Sequence, residues 1–265
     1  ITYSITGTQL AITSVGVLRF ISAPDFETQS SYTATVTATD GALSATQDIT
    51  IGVNDINEAP TFTSGSSFSA DENQTAIGTA TASDVDANSS LSFSISGSEL
   101  AITADGVISF VSAPDYETTT TYTATVTVSD GALETTQAIV VNVNNLNDNT
   151  PSITSSASMS ADENQTAITT VTATDADGDL NSVTFSVSGS ELAITSAGVL
   201  TFVSAPDFET KSSYTATVTA TDGTNSSTQD ITVSVNDINE APTFTSGTSF
   251  SADENQTAIG TATAS

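Results

Sequence analysis

Residues 31–39 read SYTATVTAT, with Tyr32, Ala34, Val36 and Ala38 on alternate positions and Ser or Thr between them. Side chains of a strand point alternately to two faces, so this strict period of two predicts a half-buried β-strand. The motif returns as TYTATVTVS at 121–129 and as SYTATVTAT at 213–221, and each copy runs into an Asp-Gly turn. Further strands are expected around 66–70, 75–82, 91–96, 100–103, 107–111 and 136–143, with turns at Asp105-Gly106 and Asp130-Gly131. No segment carries a 3.6-residue period. Seven or so short strands in about 91 residues indicate a Greek-key β-sandwich in which successive loops alternate between the two ends.

Other motifs keep the same interval. ADENQTAI starts at Ala70, Ala161 and Ala252, and APDFET or APDYET at Ala23, Ala113 and Ala205, spacings of 90 to 92 residues. That period exceeds the 20–50 residues of solenoid repeats and suits beads in tandem. With each unit closed at its linker proline, the chain divides into a partial repeat 1–60, repeats 61–151 and 152–242, and the start of another at 243–265. The division expects the first and last pieces to be cut inside a repeat.

Composition narrows the function. Thirty-one acidic residues face two basic ones, Arg19 and Lys211, for a net charge of -29. Nucleic acid and anionic membranes would repel such a surface. With 37% hydrophobic residues and much Thr, Val and Ile, the chain can still bury a core. Cysteine, histidine and tryptophan are absent, which removes disulfides, thiolate or imidazole metal sites and indole sugar platforms. No apolar run approaches the roughly 18 residues of a membrane span.

The carboxylates gather in the loops. In 61–151, Glu72 follows the first strand, Asp84 and Asp86 the second, Asp115 and Glu117 precede the TYTATV strand, Asp130 follows it, and Asp148 stands in the linker. Asp84, Asp86 and Asp130 are expected at one end, and Glu72, Asp115, Glu117 and the linker at the other. So many like charges around a short linker call for a hard cation with oxygen ligands, of which Ca²⁺ is the fitting one.

These motifs, in this order, resemble cadherin repeats. NLNDNTP at 145–151 is similar to the family's linker signature, with Asn145 in place of its first Asp, and DINEAP at 55–60 and 237–242 to the shorter linker of bacterial cadherin-like domains. DEN at 71–73, DVDAN at 84–88, DADGDLN at 175–181, PDYE at 114–117, and Asp130 and Asp222 match the remaining motifs. The resemblance covers essentially the whole chain and implies tandem β-sandwiches joined by calcium-binding linkers.

It implies three ligand sets. The first joins Asp25, Glu27, Asp55, Asn57 and Glu58 to Asp84, Asp86, Asn88 and Asp130. The second joins Glu72, Asp115, Glu117, Asn145, Asn147 and Asp148 to Asp175, Asp177, Asn181 and Asp222. The third holds Glu163, Asp207, Glu209, Asp237, Asn239 and Glu240, with the loops of a following repeat lying beyond the sequence. This last set is expected to bind weakest. Ala59 and Ala241 stand where the family carries an Asn.

Simpler readings exist for each feature. Asp, Asn and Pro are turn formers in any protein. DADGDLNSVTFS at 175–186 superficially suggests an EF-hand loop but lacks Gly at its sixth and Glu at its twelfth position. Asp115 with Glu117 could be a glycosidase pair, but the pair recurs in every repeat. Asn-Gln-Thr at Asn73, Asn164 and Asn255 are glycosylation sequons. No enzyme is expected, since no His or Cys and no unique polar cluster offers a nucleophile and base. The expected role is an extracellular or cell-surface extender of a bacterial adhesin, its repeats partnering one another along the chain. The rival is that the repeats themselves bind carbohydrate or one another in cell–cell adhesion.

Overall fold

The computed structural model describes residues 1–87, 89–178 and 182–265. Contacts divide the chain into two compact units, Ile1–Asn145 and Leu146–Ser265. The architecture is all-β, a tandem series of β-sandwiches, and no helix among the described residues is long and apolar enough to cross a membrane.

The first unit opens with β1 (Thr2–Ile5), β2 (Leu10–Ile12), β3 (Leu18–Phe20), β4 (Ser31–Thr39) and β5 (Ser44–Gly52). β1, β4 and β5 form one antiparallel sheet, and β2 and β3 a hairpin. Only Leu10 is fully buried among the hydrophobic residues of this stretch.

A complete sandwich follows: β6 (Thr61–Phe62), β7 (Ser67–Asp71), β8 (Ala76–Thr79), β9 (Ala82–Ser83), β10 (Ser92–Ile95), β11 (Leu100–Ile102), β12 (Val107–Phe110), β13 (Thr121–Ser129) and β14 (Glu134–Asn144). One sheet has the order β10-β13-β14-β7; facing it are β11-β12-β8 and the short pair β6-β9. Burial along β14 alternates, with Ile139, Val141 and Val143 inside and Ala138, Val140 and Asn142 turned outward. Ile139 and Val141 pack with Leu100, Ile108, Phe110 and Val126, and Tyr122 stands edge-on to Phe110 at 5.0 Å between ring centroids.

Two details depart from the sequence reading. The strand expected around 66–70 is β7, but it pairs with β14 in parallel within an otherwise antiparallel sandwich, and a short strand that was not expected, β6, precedes it and pairs with β9. Crossing at Ser64–Ser66 lets the two strands close both sheets. The strand expected over 75–82 also breaks, into β8 and β9, because Ala80 N–H donates to Gly106 O at 2.8 Å instead of continuing the ladder. Gly106 has φ +88° and a Cβ there would run into Ala80 O, so the approach requires glycine.

The second unit repeats the plan with β15 (Ser152–Ile153), β16 (Ser158–Asp162), β17 (Ala167–Thr170), β18 (Ala173–Thr174), β19 (Thr184–Val187), β20 (Leu192–Ile194), β21 (Val199–Phe202), β22 (Ser213–Thr221) and β23 (Ser226–Asn236). Its main sheet is β16-β23-β22-β19, with β16 parallel to β23. Gly198 repeats the approach of Gly106, against Val171 O. Near the end, Phe244 and Ala264 form an isolated bridge.

Candidate metal centre

In the first unit the linker after β5 meets the β9–β10 loop. Carboxylate oxygens of Glu27, Asp55, Glu58 and Asp86 lie within 4.8 Å of one another. Glu58 N–H donates to Asp86 Oδ2 at 2.9 Å, and Asn57 Nδ2 to Asp130 Oδ2 at 2.8 Å, so the linker is tied to both loops. Asp86 N–H in turn donates to Asp84 Oδ1 at 2.9 Å, while Asp84 Oδ2 is buried with no hydrogen-bond partner. Asp25 faces its own loop, where Oδ1 accepts from Glu27 N–H at 3.1 Å and Oδ2 from Thr28 Oγ1 at 2.9 Å. Asn88 lies outside the described residues.

Electrostatics mark the crowding. The Glu58 carboxyl is pushed above its ordinary value by burial first and then by the charges of Asp86, Asp55, Asp25 and Asp84. Glu27 also ends up raised: a backbone hydrogen bond lowers it, but burial, Asp25, Glu58 and Asp55 together outweigh that contact. Asp130 is held low by the amides of Leu133 and Ala132 and by the Asn57 side chain. Its Oδ1 takes those amides at 2.7 and 2.6 Å, fixing the turn between β13 and β14.

The other end of the same sandwich gathers Glu72, Asp115 and Glu117, which also converge within 4.8 Å. Glu72 is 2% exposed, and its Oε2 accepts Tyr116 N–H at 2.7 Å. The turn that buries it runs through Asn73 at φ +62°, whose N–H donates to Pro114 O at 3.0 Å. Asn145 directly follows β14.

In the second unit carboxylate oxygens of Asp175, Asp177 and Asp222 lie within 4.8 Å of one another, with Asp177 and Asp222 only 3% and 5% exposed. Asp177 N–H donates to Asp175 Oδ1 at 3.1 Å, and Asp175 Oδ2, like its counterpart on Asp84, is buried without a hydrogen-bond partner. Burial works to raise Asp222, but the amides of Asn225 and Thr224, with the Asn147 and Asn225 side chains, hold it below its ordinary value. Asn147 Nδ2 also reaches Thr224 Oγ1 at 3.0 Å. Asn181 is outside the described residues.

One residue in this cluster was not singled out from sequence. Asn149 donates to both Asp177 oxygens, from N–H at 3.0 Å and from Nδ2 at 2.7 Å. Its Nδ2 also donates to Asp148 Oδ1 at 3.0 Å, and its carbonyl accepts Asn225 Nδ2 at 2.9 Å. The available signal was its position, where the other two linkers carry Ala59 and Ala241.

The last linker closes on β16. Glu163, Glu209 and Glu240 form a further group within 4.8 Å, and Asp207, Asp237 and Asn239 line the same cavity of about 770 Å³. Glu163, 3% exposed, accepts Phe208 N–H at 2.8 Å and Ile238 N–H at 2.7 Å. Asn164 Nδ2 donates to Glu240 Oε1 at 2.7 Å. Glu209 is raised in net: its own backbone hydrogen bond opposes the shift, but burial and the charges of Glu163, Glu240 and Asp237 prevail.

These donor sets fit a hard cation. Ca²⁺ binds oxygen at about 2.4 Å, so two oxygens on one ion stand at most about 4.8 Å apart, the span of each group. A buried carboxylate oxygen without a partner is costly, and Asp84 Oδ2 and Asp175 Oδ2 are such atoms at equivalent places in two repeats. A cation beside them would satisfy both.

Comparison with known proteins agrees with the fold. Residues 155–236 match the family model described as a cadherin domain, and residues 57–143 the one described as a bacterial Ig domain. The chain is 31% identical over 266 residues to human protocadherin Fat 1, covering 88% of this chain and 6% of that protein. It is 34% identical over 204 residues to chitinase A of Pseudoalteromonas piscicida, covering 73% of this chain and 24% of that one. The chain therefore spans a small part of the curated relatives it matches. Among solved structures, mouse cadherin-23 EC22-24 superposes with a TM-score of 0.66 at 25% identity, covering 89% of this chain and 86% of that chain. Protocadherin gammaB7 EC3-6, a cis-dimer structure, does so with a TM-score of 0.66 at 27% identity, over 93% of this chain and 69% of that chain.

Proposed function

Because the chain is a series of tandem cadherin-like repeats, we propose that it is a non-catalytic extender in a secreted or cell-surface protein, stiffened by calcium taken at the repeat ends. The repeats in this reading run 1–60, 61–151, 152–242 and onward from 243. The observation that carries it is the convergence of Glu27, Asp55 and Glu58 with Asp86 from the following repeat within 4.8 Å. With Asp84, these residues would hold one ion group. Glu72, Asp115 and Glu117 would contribute to a second, Asp175, Asp177 and Asp222 to a third, and Glu163, Glu209 and Glu240 to a fourth.

A bound ion would supply positive charge against the carboxylate repulsion, held by residues of the linker and of the loops. The protein supplies the rest. Backbone amides aim Asp86, Asp130 and Glu163, and Asn57 pins the linker to the β13–β14 turn. The absence of His and Cys from the sequence favours calcium over softer metals.

Limited proteolysis with a Glu-specific protease tests the linker. Cleavage after Glu58, identified by fragment mass, is expected to slow in millimolar calcium and to recover with chelator. Equal cleavage rates in both conditions refute calcium stiffening at this linker.

A further inference from the structure

The repeats share a shallow site beside the loop that precedes the long β4, β13 and β22 strands, and they fill it differently. In the second unit Lys211 Nζ lies 2.6 and 2.7 Å from the two Glu191 oxygens and 4.4 Å from the ring centroid of Tyr214. In the first repeat the equivalent positions are Gln9 and Gln29, joined by a neutral hydrogen bond of 3.2 Å beside Tyr32. In the 61–151 repeat they are Glu99 and Thr119. Here the acid is kept and the cation is not. A cavity of about 400 Å³ lies against Glu99, lined also by Val111, Pro114, Asp115 and Tyr122.

We propose that this cavity is a binding site for a primary ammonium, and that its occupant is a lysine side chain of a partner protein. Lys211 shows the chemistry that the site accepts. A carboxylate takes the ammonium hydrogens, and an aromatic face within about 6 Å of the charge adds cation–π attraction. Tyr122 lines the cavity, and its ring is held against Phe110 in the same edge arrangement as that of Tyr214 against Phe202, with centroids 5.0 Å apart. Val111 and Pro114 give an apolar wall for the methylene stem of a lysine, which buries well while its head stays polar. The one lysine among these 265 residues is already engaged in its own repeat. A net charge of -29 would steer a lysine-bearing partner toward it. Glu99 belongs to none of the candidate metal groups, while Asp115, on the cavity wall, belongs to one, so the titration is run with calcium already bound.

The probe is Nα-acetyl-lysine methylamide, titrated into the 265-residue chain in saturating calcium and low salt and followed by NMR. Shift changes at Tyr122 and Glu99 saturating in the millimolar range are expected, with Nα-acetyl-norleucine methylamide giving none. Glu99→Gln should weaken the interaction about two- to fivefold, the loss of one solvent-exposed ion pair. Thr119→Lys should abolish it by supplying the internal occupant, and the native Lys211 shows that this residue is tolerated in the fold. Lys211→Thr should open a second saturable site at Glu191 and Tyr214. No shift at Tyr122, unchanged binding in Thr119→Lys, or equal binding of the norleucine analogue overturns the proposal. Glucosamine binding in place of the lysine analogue overturns the choice of a protein lysine.

Discussion

Asp177→Asn is the sharpest perturbation of the candidate centre, because it removes a charge while keeping the shape of a residue 3% exposed. In the metal-free chain two effects oppose each other. One of the two Asn149 donors, at 3.0 and 2.7 Å, loses its acceptor, a cost of about 1–3 kcal/mol. Repulsion with Asp175 and Asp222 is relieved at the same time. Calcium separates the metal role from the structural one. At about 10 mM calcium and a dissociation constant of ~0.1–1 mM, one site stabilises the parent by about 1.4–2.7 kcal/mol. For a domain of this size each kcal/mol moves the melting temperature by about 4–8 °C. Calorimetry of parent and variant, each with calcium and with chelator, should show the calcium increment of the second unit at least halved in the variant. An equal increment in both proteins, whatever the metal-free difference, refutes a ligand role for Asp177.

Acid should weaken calcium binding earlier than ordinary carboxylates would. Glu58, Glu27 and Glu209 have raised folded-state values, so at these three groups the folded chain holds more protons than the unfolded one, and their own contribution to metal-free stability is lost as pH rises through their titration. Calcium must displace those protons, and calorimetric titrations should show affinity dropping steadily from neutral pH into their titration range. Ile139→Ala, at 2% exposure in the core, should cost about 2–5 kcal/mol in urea unfolding, with or without calcium. Gly106→Ala should cost at least about 1–2 kcal/mol from its positive φ alone, with the contact to Ala80 O adding to it. Gly65→Ala, with open space and no such φ, should instead stabilise by ~0.4–1 kcal/mol in the same assay.

Much of the fold was legible because its signals are local. Tyr32, Ala34, Val36 and Ala38 alternate with Thr and Ser, and β4 is the strand that this alternation predicts. Ile139, Val141 and Val143 do the same for β14. The acidic motifs were legible for a similar reason: Asp130-Gly131 and Asp222-Gly223 are turn chemistry wherever they occur, and their order along the chain says which loops they occupy.

What the amino-acid order determined by itself is thus the strand pattern, the interval of about 91 residues, and an inventory of oxygen ligands with no sulfur or imidazole among them. Tertiary structure alone decided the parallel closure of β7 on β14 and of β16 on β23, since pairing partners far apart in sequence leave no local period. It likewise decided that Asn149 grips Asp177, and that one oxygen each of Asp84 and Asp175 is buried without a hydrogen bond. A side chain's type can be read from the sequence, but its partners depend on which loops the packed sheets bring together.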